Sequence, residues 1–208
     1  MLYTAYEFGY AAVAPARVAA GIGARFWRSP FNPLADCWLA RTSAAALDVF
    51  EHATRRYPKP EWDIHETTVN GVTAAVSIEP VLRLPFCTLL RFRRDEDALK
   101  RAGAEDQPKV LIVAPLSGHY ATLLRGTVLA MMPGHDVYIT DWTDARLVPI
   151  SAGRFDLNDY IDYLIAFLRH IGPRAHAMAV CQPGPALLSA AAVLAEDEDE
   201  ARPATMTI

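Results

Sequence analysis

The stretch AHAMAVCQPGPALLSAAAVLA, residues 175–195, predicts a short apolar strand followed by an apolar helix. The strand covers residues 175–180 and the helix covers residues 186–195, so Cys181 lies at the bend between them. Because the helix is apolar on nearly all sides, we expect it to be buried. The stretch therefore indicates an α/β fold in which one strand ends at a cysteine.

The same alternation of strand and helix extends upstream. Residues 110–114 and 136–140 are β-prone runs, typical of parallel strands that helices cover on both faces. Helices are predicted over residues 121–132 and 157–171, and the second has Asp156 as its cap and Gly172 as its end. We therefore predict a mostly parallel sheet with right-handed crossovers.

The remaining segments set the predicted domain organisation. Residues 1–60 form a helical segment, in which Asn32 is a candidate N-cap. Asn70-Gly71 predicts a hairpin between two β-prone runs, residues 87–92 a third strand and residues 95–104 a charged link. Residues 61–208 are then an α/β domain. Because residues 204–208 begin another apolar strand and stop, we expect that domain to be truncated.

Composition and charge exclude several functional classes. Of the 208 residues, 52% are hydrophobic, which is enough for a sizeable core. The formal net charge of −4 offers no basic face for nucleic acid. Three widely spaced cysteines with no Cys/His cluster predict a reducing compartment and no structural metal. Neither a signal peptide nor a membrane span is predicted, so we expect a cytoplasmic protein.

Cys181 is the candidate nucleophile. A cysteine between a strand and a helix occupies the position of a nucleophile elbow, and the free amides of a helix N-terminus stabilise a thiolate. The backbone amide that follows can hold the oxyanion of an ester intermediate. Because Pro183 and Pro185 cannot donate, the amides of Gln182 and Gly184 remain available. The alternative is that Cys181 is a core residue, as free cysteines commonly are.

The loop APLSGHY, residues 114–120, is the second candidate element, because ligands bind at the carboxyl ends of parallel strands. The amide of Leu116 or Ser117 is the candidate second oxyanion donor. Gly118 and His119 are candidate substrate-lining residues, and the alternatives are an ordinary turn for the glycine and a loop histidine or helix cap for His119.

Asp141 and Trp142 are further candidate substrate-lining residues, because they follow the next predicted strand at the same edge of the sheet. For Asp141 and the nearby Asp144, a capped turn with a solvated charge pair is the alternative explanation.

No histidine follows Cys181 in the sequence. In α/β-hydrolases, the acid and the histidine of the triad come after the nucleophile. Without a base, thiol attack on an ester is weak and water does not efficiently release the acyl group. We therefore expect little or no turnover from this chain alone.

Four longer segments carry a family resemblance: residues 114–128 (APLSGHYATLLRGTV), 135–146 (HDVYITDWTDAR), 151–165 (SAGRFDLNDYIDYLI) and 179–183 (AVCQP). Together they resemble intracellular polyhydroxyalkanoate (polyhydroxybutyrate) depolymerases. The resemblance implies an α/β-hydrolase that cleaves the esters of stored polyester through a Cys, Asp and His triad, without a metal or organic cofactor. Only Cys181 can be assigned to that triad, and the matching Asp and His would lie beyond Ile208.

The resemblance also implies partners and a location. The expected partner is the polyhydroxyalkanoate polymer or the granule surface. The expected location is the cytoplasm or the storage granules, and a homo-oligomer is possible. One alternative is a polyhydroxyalkanoate synthase-like acyltransferase, since such enzymes also resemble α/β-hydrolases with a cysteine nucleophile. The other is an inactive granule-associated fragment, which the missing base motivates. The elbow departs from G-x-nucleophile-x-G, with Ala179 and Pro183 at the small positions.

Overall fold

The computed structural model describes residues 2–116 and 119–208 and divides the chain into two compact units, Met1–Pro58 and Lys59–Ile208. The first unit consists of helices α1 (Leu2–Trp27) and α2 (Trp38–Thr54), which pack against each other. Small side chains allow this packing. A Cβ on Gly23 of α1 would lie 2.9 Å from Leu47 Cδ1 of α2, so a larger residue at this position would require the Leu47 side chain to shift.

Helix α2 begins later than the sequence predicts. Its N-cap is Cys37, whose Sγ accepts a hydrogen bond from the Ala40 amide at 3.4 Å. The Asn32 side chain instead accepts from the Leu34 amide at 3.0 Å within a turn. The prediction of Asn32 as a helix cap is therefore wrong, because an asparagine followed by proline also favours a local turn.

The second unit contains a seven-stranded sheet with the order β1-β2-β3-β5-β4-β6-β7. Strands β1, β2 and β3 pair antiparallel, and β3 pairs antiparallel with β5, whereas β5, β4, β6 and β7 are parallel. The coarse prediction of an α/β fold with a mostly parallel region is confirmed. The strands are β1 (Glu66–Val69), β2 (Val72–Arg83), β3 (Cys87–Arg94), β4 (Lys109–Val113), β5 (Asp136–Trp142), β6 (His176–Ala179) and β7 (Thr205–Thr207).

The predicted hairpin at Asn70-Gly71 is confirmed. Both residues have positive φ, 47° and 81°, as a two-residue turn between β1 and β2 requires. Strand β5 is longer than predicted and continues to Trp142, which places Asp141 and Trp142 inside the strand rather than in the loop after it.

Among the described residues, the α-helices that accompany the sheet are α3 (Glu96–Arg101), α4 (Arg125–Met131), α5 (Leu157–Ile171) and α6 (Gly184–Glu196). The link predicted over residues 95–104 contains α3, which Asp95 caps through the Ala98 amide. The helix predicted over residues 121–132 divides into a 3-10 helix, Ala121–Leu124, and α4. Asp156 caps α5 in a capping box and Gly172 ends it, as predicted.

The core of this unit lies on both faces of the parallel strands. Strand β4 is buried at four consecutive positions, from Val110 to Val113, so side chains on both faces of the sheet are covered. Helices α5 and α6 contact each other. Helix α6 is less buried than its composition predicts, because Leu188 is 53% exposed. Only the face with Ala186, Leu187, Ala190 and Leu194 packs inward. In the described part of the chain, no helix has both the length and the apolarity needed to cross a membrane.

Candidate functional site

The candidate site lies at the carboxyl ends of β4 and β6, which are neighbouring parallel strands. From β4 the chain crosses to β5 on one side, and from β5 it returns past β4 to β6 on the other side. With right-handed crossovers, the helices after β4 and β6 lie on opposite faces of the sheet. The two loops after β4 and β6 therefore lie at the end of the sheet where α/β proteins bind ligands. Leu116 and Cys181 belong to these loops.

Cys181 is exposed and lies between the end of β6 and the start of α6. Its φ is +68°, in the left-handed region that residues with a side chain rarely adopt. The Gly184 amide donates to the Cys181 carbonyl at 3.2 Å and closes the bend. The thiol therefore extends from a sharp strand-to-helix turn, and the alternative of a cysteine packed in the core is wrong.

The strain at this bend predicts a measurable stability difference. Cys181→Gly is expected to be more stable than Cys181→Ala by about 1 kcal/mol, because glycine adopts positive φ without a Cβ clash. Urea unfolding of the two variants measures the difference. The control is Ala192→Gly at an exposed position of α6. This change from alanine to glycine is expected to lower the free energy of unfolding by about 1 kcal/mol, whereas glycine is expected to raise it relative to alanine at position 181. Equal stability of the two Cys181 variants would contradict the strained bend.

The two predicted oxyanion loops contact each other. The Leu116 amide donates to Gln182 Oε1 at 2.8 Å, so the side chain of Gln182 covers this donor. The sequence suggested the Gln182 backbone amide but not this role for its side chain. The Gly184 amide, which the sequence left available, is used by the Cys181 carbonyl. Ser117 and Gly118 lie outside the described residues, so their predicted roles stay predictions.

The end of β4 is fixed by two side chains of β5 that the sequence analysis did not single out for this role. Thr140 Oγ1 accepts from the Ala114 amide at 2.9 Å, and Trp142 Nε1 donates to the Ala114 carbonyl at 3.0 Å. Both bonds are buried, and Thr140 is fully buried. A threonine within an apolar strand was the available signal, because buried hydroxyls are almost always hydrogen-bonded. These bonds orient the residue that leads into the Leu116 loop.

The other predicted site residues are distributed between surface and core. His119 is exposed in the loop after β4. The Asp141 carboxylate forms an ion pair with Lys59, and its other oxygen, Oδ1, is buried without a hydrogen bond among the described residues. Trp142 is 7% exposed and packs against Phe155 and Tyr160, so it belongs to the core beneath the loop rather than to an open substrate surface.

The other two cysteines have environments unlike that of Cys181. Cys87 is fully buried, and burial, with a smaller contribution from the Asp141 carboxylate, raises the pKa of its thiol well above the usual value. Cys37 is half-buried and caps α2. Cys181 is thus the exposed member of the three.

No contact among residues 2–116 and 119–208 joins a histidine or carboxylate side chain to the Cys181 thiol. Within the same residues, no group of three or more His, Cys, Asp and Glu side chains is placed to hold a metal ion. No family model, curated protein or solved structure matches the chain.

Proposed function

We propose that the α/β unit belongs to a cysteine-nucleophile ester hydrolase of the polyhydroxyalkanoate depolymerase type, with Cys181 as the nucleophile. The observation that carries this proposal is the exposed Cys181, held at φ +68° between β6 and α6. An elbow of this kind keeps a nucleophile accessible at the carboxyl edge of the sheet, next to the amides of a helix N-terminus. The four segments that resemble depolymerases supply the substrate class.

The proposed reaction has an acylation step, in which Cys181 attacks the ester, and a deacylation step. The Cys181 thiolate attacks the ester carbonyl carbon, and the carbonyl electron pair moves to oxygen. Collapse of this intermediate reforms the carbonyl, breaks the bond to the alkoxy oxygen and leaves a thioester on Cys181, while the departing alcohol takes up a proton. Water then hydrolyses the thioester to the 3-hydroxyacid and returns the thiol. A general base for deacylation is not assigned to any residue of this chain.

Oxyanion stabilisation requires the Gln182 side chain to release the Leu116 amide. The Gln182 amide directly follows the nucleophile and is the candidate donor from this loop. The second donor, the Leu116 amide, is occupied by Gln182 Oε1 at 2.8 Å. In the proposed mechanism, the substrate carbonyl oxygen replaces Gln182 Oε1 as the acceptor. The glutamine oxygen therefore marks the position where the oxyanion would bind.

The experiment is acyl transfer from p-nitrophenyl 3-hydroxybutyrate to the whole chain. We expect a burst of p-nitrophenol of about one equivalent per chain followed by slow or no turnover, because p-nitrophenolate leaves readily even when thiol attack is weak, whereas deacylation by water needs a base. Peptide mass spectrometry is expected to place the hydroxybutyryl group on Cys181. If no burst occurs, or if the acyl group is found on another residue, the proposal is wrong.

A further inference from the structure

A second concavity lies at the edge of the sheet opposite Cys181. It encloses about 1050 Å³ and is lined by the first residues of three parallel strands, Lys109 of β4, Asp136 of β5 and His176 of β6. Cys181 follows the last residue of β6, so the two sites are at opposite ends of that strand. The ester chemistry proposed above uses none of the residues around this cavity.

The lining of this cavity is cationic although the chain is acidic overall. Six lysine and arginine side chains line it against four carboxylates, whereas the whole chain has a net charge of −4. A local excess of positive charge in a concave surface attracts anions, because low-dielectric walls focus the field. The cations are Arg91, Arg93, Arg94, Lys100, Lys109 and Arg174.

Three of these six cations are neutralised within the protein. Arg91 binds both oxygens of Asp136 at 3.0 Å, Arg93 binds Glu96 at 2.6 Å, and Lys100 lies 3.7 Å from Asp97. The other three are Arg94, Lys109 and Arg174. Among the described residues, none of these three has a carboxylate within ion-pair distance. They supply the positive excess of the cavity, which the exposed carboxylates of Glu105 and Asp106 in the same lining offset in part.

Among the three, Arg94 gives the strongest evidence for an anion site, because its side chain is almost fully buried, with only 5% of the residue exposed. Its Nη1 donates to Gln107 Oε1 and to the Met132 carbonyl at 2.6 Å, which fixes the guanidinium. Its Nε is buried without a hydrogen-bond partner among the described residues. Burial lowers the pKa of this guanidinium, and the Asp136 carboxylate opposes that effect. Buried charges in proteins are normally paired, so this cation lacks its usual counter-ion.

The three unpaired cations extend along the edge of the sheet. Arg94 ends β3, Lys109 begins β4, and Arg174 lies two residues before β6. In the strand order, β3 and β6 are three positions apart. Neighbouring strands are about 4.8 Å apart, so the backbone positions that carry these cations span roughly 14 Å. A linear anion with several charges matches such a row of cations better than a single carboxylate or phosphate does.

We propose that this cavity binds a small linear polyphosphate, with Arg94, Lys109 and Arg174 as its ligands. Phosphate oxygens suit these donors, because arginine forms forked hydrogen bonds to phosphate and lysine binds it as a point charge. Lys109 Nζ donates to the Ile171 carbonyl at 2.7 Å, and its other protons are free to bind the anion. The binding does not depend on the ester chemistry, since Cys181 is at the opposite edge of the sheet.

The test is calorimetric titration of the whole chain with inorganic tripolyphosphate. Arg174 is exposed, so Arg174→Gln leaves the fold intact and is expected to weaken binding about fivefold. Lys109→Gln is expected to weaken it about tenfold, with circular dichroism as the check on folding. Arg101→Gln, which removes an exposed charge outside the cavity, is the matched control and should change the affinity less than about twofold.

Two further titrations test whether anion binding depends on Cys181 and whether it needs more than one phosphate group. Cys181→Ala is expected to bind tripolyphosphate as the unchanged chain does, whatever its effect on ester acylation. Orthophosphate is expected to bind at least about tenfold more weakly, because it contacts fewer cations. The proposal is overturned if the unchanged chain does not bind tripolyphosphate, if Arg101→Gln weakens binding as much as Arg174→Gln, or if orthophosphate binds equally well.

Discussion

Replacement of Cys181 by alanine is expected to abolish acylation by p-nitrophenyl 3-hydroxybutyrate. The burst should fall from about one equivalent per chain to none, because no other group at the bend can form the thioester. Alanine retains the Cβ at this position, so the variant removes the sulfur while the backbone at φ +68° is preserved. The measurement is rapid-mixing absorbance of p-nitrophenol, with mass spectrometry of the protein.

The matched control for this prediction is Cys37→Ser. Cys37 is half-buried and caps α2, and serine is a preferred N-cap, so the variant removes a thiol without removing the cap. Its burst is expected to equal that of the unchanged chain. A full burst from Cys181→Ala, or a burst lost in Cys37→Ser alone, would show that the reactive group is not Cys181.

Trp142→Ala is expected to lower the free energy of unfolding of the α/β unit by about 3–5 kcal/mol. The indole is 7% exposed, lies within 4.7 Å of Tyr160 and within 5.8 Å of Phe155 between ring centres, and donates to the Ala114 carbonyl. The substitution removes the ring contacts and leaves a buried carbonyl without its donor. Urea unfolding measures the loss as a shifted midpoint at unchanged slope.

Two variants divide this effect into its parts. Trp142→Phe keeps a ring but removes the Nε1 donor, and we expect a loss of about 1–3 kcal/mol for the unpaired Ala114 carbonyl. Ile150→Ala alters a side chain that is 98% exposed and should stay within about 0.5 kcal/mol. If Trp142→Ala were as mild as Ile150→Ala, Trp142 would not support the loop after β4.

Much of the α/β unit could be predicted from local patterns. The Asn70-Gly71 turn, the apolar run of β4 and the Asp156 cap of α5 each depend on residues within one element, and all three are present. Errors arose where two local signals competed. Asn32-Pro33 favours both a helix start and a turn, and the turn formed. The exposure of Leu188 depends on what covers α6, which composition alone does not specify.

The candidate site was predictable in its position but not in its contacts. The bend at Cys181 follows from a strand directly before a proline-containing helix start, and the structure has it there. The hydrogen bonds that the Leu116 amide donates to Gln182 and the Ala114 amide donates to Thr140 join residues 66 and 26 positions apart. Such contacts depend on strand order, so no local pattern could indicate them.

The cationic cavity was hidden by the overall charge. A net charge of −4 argues against a basic surface, but it does not say where the charges lie. Arg94, Lys109 and Arg174 come from separate segments and meet at one edge only because β3, β4 and β6 are close in the sheet. The prediction against nucleic acid is untested by this observation, because a cavity of this size suits a small anion rather than a duplex.

The most direct test of the central claim compares the alkylation rate of Cys181 in the folded chain with its rate in urea. Iodoacetamide labelling, resolved by peptide mass spectrometry, gives this ratio for all three cysteines. We predict that Cys181 reacts faster in the folded chain than in the unfolded one, because its exposed sulfur directly precedes the N-terminus of α6, whose partial positive charge favours attack by the sulfur. Buried Cys87 is expected to react more slowly when folded. A Cys181 that reacts more slowly in the folded chain would contradict its assignment as the nucleophile.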